Sequence, residues 1–167
     1  DSQVASATFY KLSSLGTGTG LTGNYWSNQL MTFNGSPTLT RTDPTINFDW
    51  GGGSPDPSIS ADHFTARWTG DVQPVFSETY TFYTTTDDGV RLWVNNQLVI
   101  DKWVDQGPTE WSGTIGLTGG YRYPVKMEYY ENGGGAVAKL SWSSPSTSKA
   151  IIPQSQLYPT NDLPPTV

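Results

Sequence analysis

Hydrophobic and polar positions alternate through the middle of the chain with a period of two. Phe64, Ala66 and Trp68 alternate with polar partners, and residues 79–86 (TYTFYTTT) are a dense run of β-formers. Val90, Leu92 and Val94 share one face, with Arg91 and Trp93 on the other. Asn95-Asn96-Gln97 follows, then Leu98-Val99-Ile100. Asn tolerates positive φ, so a tight hairpin is predicted there. Residues 111–117 read as a further strand, closed by Gly119-Gly120. Residues 121–130 set Val125, Met127 and Tyr129 inward against Lys126, Glu128 and Tyr130. Ala138, Leu140 and Trp142 form the last strong alternation. No segment carries a 3.6-residue period with helix caps. Many short strands with frequent turn signals predict an all-β fold, an antiparallel β-sandwich or a barrel-like variant of one.

Length and composition narrow the picture. The chain has 167 residues, one domain's worth. A chain near this size buries roughly 68–70% of its unfolded surface and needs no disulfide to hold a core. Residues 1–20 are rich in Ser, Thr, Gly and Ala, and residues 159–167 (PTNDLPPTV) read as a linker. The net charge of −6 argues against nucleic acid, where a basic face supplies most of the affinity. It argues equally against a polybasic membrane patch. No apolar run approaches the roughly 20 residues of a spanning helix, so membrane insertion is not expected. With no Cys, thiol catalysis, iron–sulfur clusters and Cys-based zinc sites are excluded. With His63 alone, so is a His-rich metal site. Asp, Asn and main-chain oxygen remain as ligands, and these suit hard cations such as calcium.

Three local signals could carry chemistry. Asp87-Asp88-Gly89 lies between two predicted strands. Adjacent carboxylates repel, and a divalent cation would offset that; alone, the triplet reads equally as an acidic turn. Glu131-Asn132-Gly133-Gly134-Gly135 adds a neutral side-chain oxygen and a backbone without Cβ restriction, so main-chain carbonyls can turn to a ligand. Alone, this is a flexible hairpin loop. The third signal is the seven Trp. Trp68 and Trp142 fall at inward positions and belong to the core. Trp93 faces outward, and Trp103 and Trp111 flank residues 104–110, where an indole face could stack on a sugar ring.

Enzyme patterns are weak. Glu128 and Glu131 qualify as a glycosidase pair by residue type only, with no spaced carboxylate motif around them. His63 has no Gly-x-Ser-x-Gly elbow to serve and reads as a half-buried residue at a strand start. Gly51-Gly52-Gly53-Ser54 lacks the Lys of a phosphate loop.

Taken in order, longer motifs resemble one family. They are residues 20–26 (GLTGNYW), 62–70 (DHFTARWTG), Tyr80-Thr81-Phe82, 86–95 (TDDGVRLWVN) and 98–103 (LVIDKW). Tyr121, Pro124-Val125, 128–131 (EYYE) and Leu140-Ser141-Trp142 follow. This order resembles the domain named after the N-terminal part of anthrax protective antigen, the PA-fourteen domain, over residues 16–159. The resemblance implies a β-sandwich, with residues 1–15 an N-terminal extension and 160–167 a C-terminal linker. Relatives of that kind occur in secreted bacterial glycosidases, in polysaccharide-sensing anti-sigma factors and in yeast flocculins and adhesins. In the yeast lectins a pair of consecutive Asp, joined by a cis peptide, binds calcium, and the ion takes sugar hydroxyls. Asp87 and Asp88 match that pair, and Asn132 matches an Asn from a second loop. The family's main-chain ligands fall on Gly134 and Ala136. This chain departs from the yeast adhesins in its shorter, Gly-rich second loop and in lacking their cysteines.

The expectation is a non-catalytic, calcium-dependent module that binds a polysaccharide or oligosaccharide, within a multidomain bacterial protein, extracellular or at the cell surface. Asp87, Asp88 and Asn132 would hold ion and sugar, with Trp103 as the stacking face. Two rivals stand beside it: a structural or protein-interaction domain whose calcium only staples loops, and an accessory lobe of a glycoside hydrolase.

Overall fold

The computed structural model describes residues 8–9 and 15–162. The alternating runs become strands: β5 (Phe64–Val72), β6 (Glu78–Asp87), β7 (Val90–Val94), β8 (Gln97–Lys102), β9 (Thr109–Leu117), β10 (Tyr121–Glu131) and β11 (Ala136–Ser144). Shorter strands surround them: β1 (Thr8–Phe9), β2 (Leu21–Trp26), β3 (Leu39–Asp43), β4 (Asn47–Gly51), β12 (Thr147–Ile151) and β13 (Leu157–Pro159). Every pairing is antiparallel.

One sheet runs β3-β2-β5-β10-β7-β8, with β1 on β10 and β13 on β5; the other runs β12-β11-β6-β9, with β4 on β11. The two sheets keep their edges and do not close, so the fold is a sandwich and the barrel-like form is set aside. Of the expected N-terminal extension, Thr8–Phe9 pair with β10, and the rest of residues 1–14 lie outside the described residues. Of the expected C-terminal linker, residues 160–162 are described and 163–167 are not.

The inward positions meet between the sheets. Trp68 from β5 and Trp142 from β11 are fully buried, with Tyr25, Tyr80, Phe82 and Tyr129 around them. The β7–β8 turn places Asn95 and Asn96 at φ 51° and 62°, the left-handed pair that a tight hairpin needs. Asp43, buried among this core, accepts bonds from the Tyr25 hydroxyl, Trp68 Nε1 (2.8 Å) and Arg41 Nε (2.7 Å). His63 differs from expectation: it is exposed, at φ 54°, just before β5 begins.

Candidate functional site

The end of β6, the start of β7 and the end of β10 meet at one rim of the sandwich. β10 lies beside β7 with Tyr129 opposite Val90, so Asp87 and Asp88 face the end of β10. Gly89 lets this happen: a Cβ there would come within 2.1 Å of the Tyr130 ring. Tyr130 N donates to Gly89 O (3.1 Å) and Asp88 N to Tyr130 O (3.2 Å), which locks the two segments together. The Asp87–Asp88 peptide is cis.

Asp88 is buried, and its two carboxylate oxygens accept from two loops. Gln106 N donates to Oδ1 (3.0 Å) and Asn132 N to Oδ2 (2.8 Å). Gln106 reaches further: its side-chain amide donates to Thr86 Oγ1 (3.1 Å) and Asp88 O (3.1 Å), and its oxygen accepts from Trp111 Nε1 (2.9 Å). Asp87 differs. Its carbonyl accepts from the Tyr129 hydroxyl (2.5 Å), but among the described residues no donor reaches its carboxylate.

The sandwich adds a third carboxylate. Glu131 is fully buried, and its Oε1 has no hydrogen-bond partner. Single oxygens of Asp87, Asp88 and Glu131 all lie within 4.8 Å of one another. Among the described residues no Lys or Arg pairs with any of the three. Burial pushes the Glu131 carboxyl up to about 8, and the charges of Asp88 and Asp87 push the same way. The Asp87 carboxyl is also raised, by burial first and then by Asp88.

The sequence treated Glu131 as a weak catalytic candidate, a pair with Glu128. The structure separates them. The alternation of β10 puts Glu128 on the outer face and Glu131 inward with Tyr129. Glu128 is held by Arg67 (2.8 and 2.6 Å) and Arg91 (3.0 Å), a closed ion-pair network. The signal for Glu131 was present: extending Val125, Met127, Tyr129 by two residues puts a carboxylate on the inward face.

Asn132 sits beside the cluster. Its side-chain nitrogen donates to Asp105 Oδ2 (3.0 Å), which leaves its oxygen free to face a ligand. Asp105 also accepts from the Tyr130 hydroxyl (2.8 Å), and sequence reasoning had not singled it out. Gly134 has φ 92°, and its N donates to Asp62 Oδ1 (3.2 Å); a Cβ on Gly135 would lie 3.6 Å from Asp87 Oδ2, so the glycine loop runs against the acidic pair. Ala136 is buried at the start of β11. Trp103 is half-buried nearby, edge-on to Tyr130 with ring centroids 4.8 Å apart. The Arg91 guanidinium lies 3.9 Å over its ring.

Three buried or half-buried carboxylates lie together with no Lys or Arg paired to them among the described residues. The donors are all oxygen, which fits a hard cation and excludes a thiolate or imidazole centre. The orphaned Glu131 oxygen is the strongest sign, since a buried carboxylate without a partner is otherwise strongly unfavourable.

Comparison with known proteins agrees with the fold. The sequence profile of the PA14 domain matches residues 18–156. The chain is 56% identical over 146 residues to the anti-sigma-I factor RsgI3 of Acetivibrio thermocellus, a match covering 87% of this chain and 22% of that protein. A solved anti-sigma factor domain-containing protein superposes with TM-score 0.82 at 53% identity, covering 89% of this chain and 51% of its own. The chain thus spans about a fifth of the curated relative and half of the solved one. A PA14 sugar-binding domain from an RTX adhesin shares the fold, with TM-score 0.69 at 21% identity over 84% of this chain and 97% of its own.

Proposed function

The chain belongs to the PA14 domain family, and we propose that it is a non-catalytic, calcium-dependent carbohydrate-binding module, the polysaccharide-sensing part of a multidomain cell-surface bacterial protein. The observation that carries this reading is the cluster of Asp87, Asp88 and Glu131, which no Lys or Arg neutralises among the described residues and which has one orphaned buried oxygen. Asp87, Asp88 and Glu131 would hold the ion from the strand ends, and Asn132 Oδ1 with the carbonyls of Gly134 and Ala136 from the glycine loop. Bound calcium, with its 6–8 oxygen shell, would supply open positions for vicinal sugar hydroxyls. The residues around it fix the geometry: Gln106 and Asn132 N orient Asp88, Tyr129 holds the Asp87 carbonyl, and Asp105 turns Asn132. Trp103, edge-on to Tyr130 with centroids 4.8 Å apart, is the stacking face of this reading. The anti-sigma relatives favour a sensing role, and the sugar-binding title of the RTX adhesin domain favours carbohydrate as what is sensed. The module of this reading is residues 16–159, with 1–15 an N-terminal extension and 160–167 a linker.

The test is calorimetric titration of calcium into chelator-treated protein, then a polysaccharide panel with and without calcium, repeated with Asp87→Asn. One calcium site lost in the variant, with glycan binding that requires the ion, is the expected result. Calcium without any glycan binding would leave only a loop staple. Absence of a calcium site would overturn the mechanism.

A further inference from the structure

A cavity of about 490 Å³ opens on the outer face of the eight-stranded sheet. That is within the range of roughly 300–1,000 Å³ typical of small-molecule sites. It lies away from the acidic cluster. β7 runs from Val90, opposite Tyr129, to Val94, opposite Val125, and the cavity is at the Val94 end. Trp93, Lys126 and Asp71 line it from the strands, and Asn96 from the β7–β8 turn. Thr160 lines it from the turn that follows β13.

That turn is a built wall. Thr160 Oγ1 bonds Thr69 Oγ1 (2.7 Å), Thr160 N donates to Thr22 Oγ1 (3.0 Å), and Asp162 N to Pro159 O (3.0 Å). Arg122 Nη2 donates to Asp162 O (2.6 Å). The recess is therefore shaped before any ligand arrives, which lowers the ordering cost of binding.

Its chemistry is an indole set among short polar groups. Trp93 is half-buried, with the Lys126 ammonium 4.2 Å from its ring centroid. The amide of Asn96, the carboxylate of Asp71 and the hydroxyl of Thr160 surround it. An aromatic face beside planar hydrogen-bonding groups suits a sugar ring, apolar on its C–H face and polar at its rim. Asp71 and Asp162 both pair with Arg122 (3.4 and 3.9 Å), and Lys126 balances the remaining charge of the lining, so the cavity calls for an uncharged sugar.

Arg91 and Trp103 lie between the cavity and the acidic rim. Arg91 lies 3.9 Å from the Trp103 centroid and 5.8 Å from that of Trp93, and the flexible Lys126 chain, now over the Trp93 ring, must swing aside for a sugar to stack there. Five residues of extended chain separate Asp88 from Trp93, a span of about 17 Å. That is long enough for several sugar residues.

We propose that this cavity is a second subsite, taking internal residues of an uncharged polysaccharide chain whose other part is held at the Asp87–Asp88 rim, with Trp93 as its stacking platform. The proposal rests on the carbohydrate reading above. It implies a module that reads the run of a polymer and not only one sugar.

The test uses the whole chain with calcium and neutral cello-, xylo-, manno- and arabino-oligosaccharides, from disaccharide to hexasaccharide, by calorimetry. The expected result is affinity that rises with length in at least one series. In Trp93→Ala the hexasaccharide should lose roughly tenfold while the disaccharide is unchanged. Asn96→Gly removes the amide but keeps the φ of 62° that glycine accepts, and should weaken long chains alone. Asp87→Asn should weaken every length. Ion-dependent binding that is flat with length, or indifferent to both cavity variants, would overturn the second subsite and leave the first reading intact. Failure of every oligosaccharide to bind would overturn both.

Discussion

Glu131→Gln separates a metal-ligating carboxylate from a buried structural one, because it should raise stability without calcium and cut the stabilisation that calcium adds. Glu131 faces two other carboxylates within 4.8 Å. At an effective dielectric of about 20, each such pair of charges repels by about 3.5 kcal/mol. Proton uptake relieves part of this already, since burial and its neighbours raise Glu131 to about 8. Removing the charge should still stabilise the ion-free protein by on the order of 2 kcal/mol. For a chain of this length that is a rise in Tm of about 4–8 °C in chelator.

With calcium that advantage shrinks, because the ion adds less to the variant than to the parent. At a concentration of 100 Kd the ion adds about 2.7 kcal/mol to the parent, or roughly 5–11 °C. Loss of a ligating carboxylate should weaken the ion by at least the 10–100-fold that loss of an outer-shell partner brings. At the upper figure the same calcium concentration equals the variant's Kd, and the gain falls to about 0.4 kcal/mol, near 1 °C. Scanning calorimetry of both proteins, each in chelator and in calcium, reads all four values. A variant less stable than the parent in chelator, with an undiminished calcium increment, would refute the reasoning and make Glu131 a packing residue.

Asp88→Ala should destabilise the ion-free protein by about 2–5 kcal/mol in denaturant unfolding, because it strands the Gln106 and Asn132 backbone donors. Asp87→Asn, whose carboxylate accepts no bond, should lose calcium with ion-free stability unchanged or raised. Glu128→Ala should lower stability by about 2–3 kcal/mol by unpairing Arg67 and Arg91, whose half-exposed side chains temper the loss, while calorimetry still finds the calcium site. Gly89→Ala should cost about 1–3 kcal/mol and weaken calcium as well, since its Cβ must push Tyr130 away from the rim.

The strands that carry the core were legible because one face of each is buried. In β5, β7 and β11 the residues at every second position are hidden, and the sequence shows that period directly. The edge strands were not legible. β3 (LTRTD), β4 (NFDWG) and β12 (TSKAI) are short and largely exposed, so their side chains need not alternate in hydrophobicity. The contact of Asp88 with Asn132 (2.8 Å) is invisible locally, because 44 positions separate them and the β10–β7 pairing brings them together. Here the order of the family's motifs supplied what periodicity could not. Asp105 and Gln106 carried no signal of either kind; they sit in an irregular segment whose role is defined by what it reaches.

Glu128 and Glu131 make the argument for function more sharply than either does alone. Both are buried carboxylates on one strand, three residues apart. Glu128 has two arginines on its two oxygens and a closed network, the arrangement that makes a buried charge tolerable. Glu131 has only a distant tyrosine hydroxyl (3.4 Å), one oxygen with no partner, and two more carboxylates for neighbours. A fold that supplies arginines to the first supplies none to the second, although a cation there would relieve the same physics. The difference is explained if the missing cation is not part of the chain but comes from solution. On this account the outer-face network holds the sheet, and the unpaired cluster at its rim is where the chain meets its ligand.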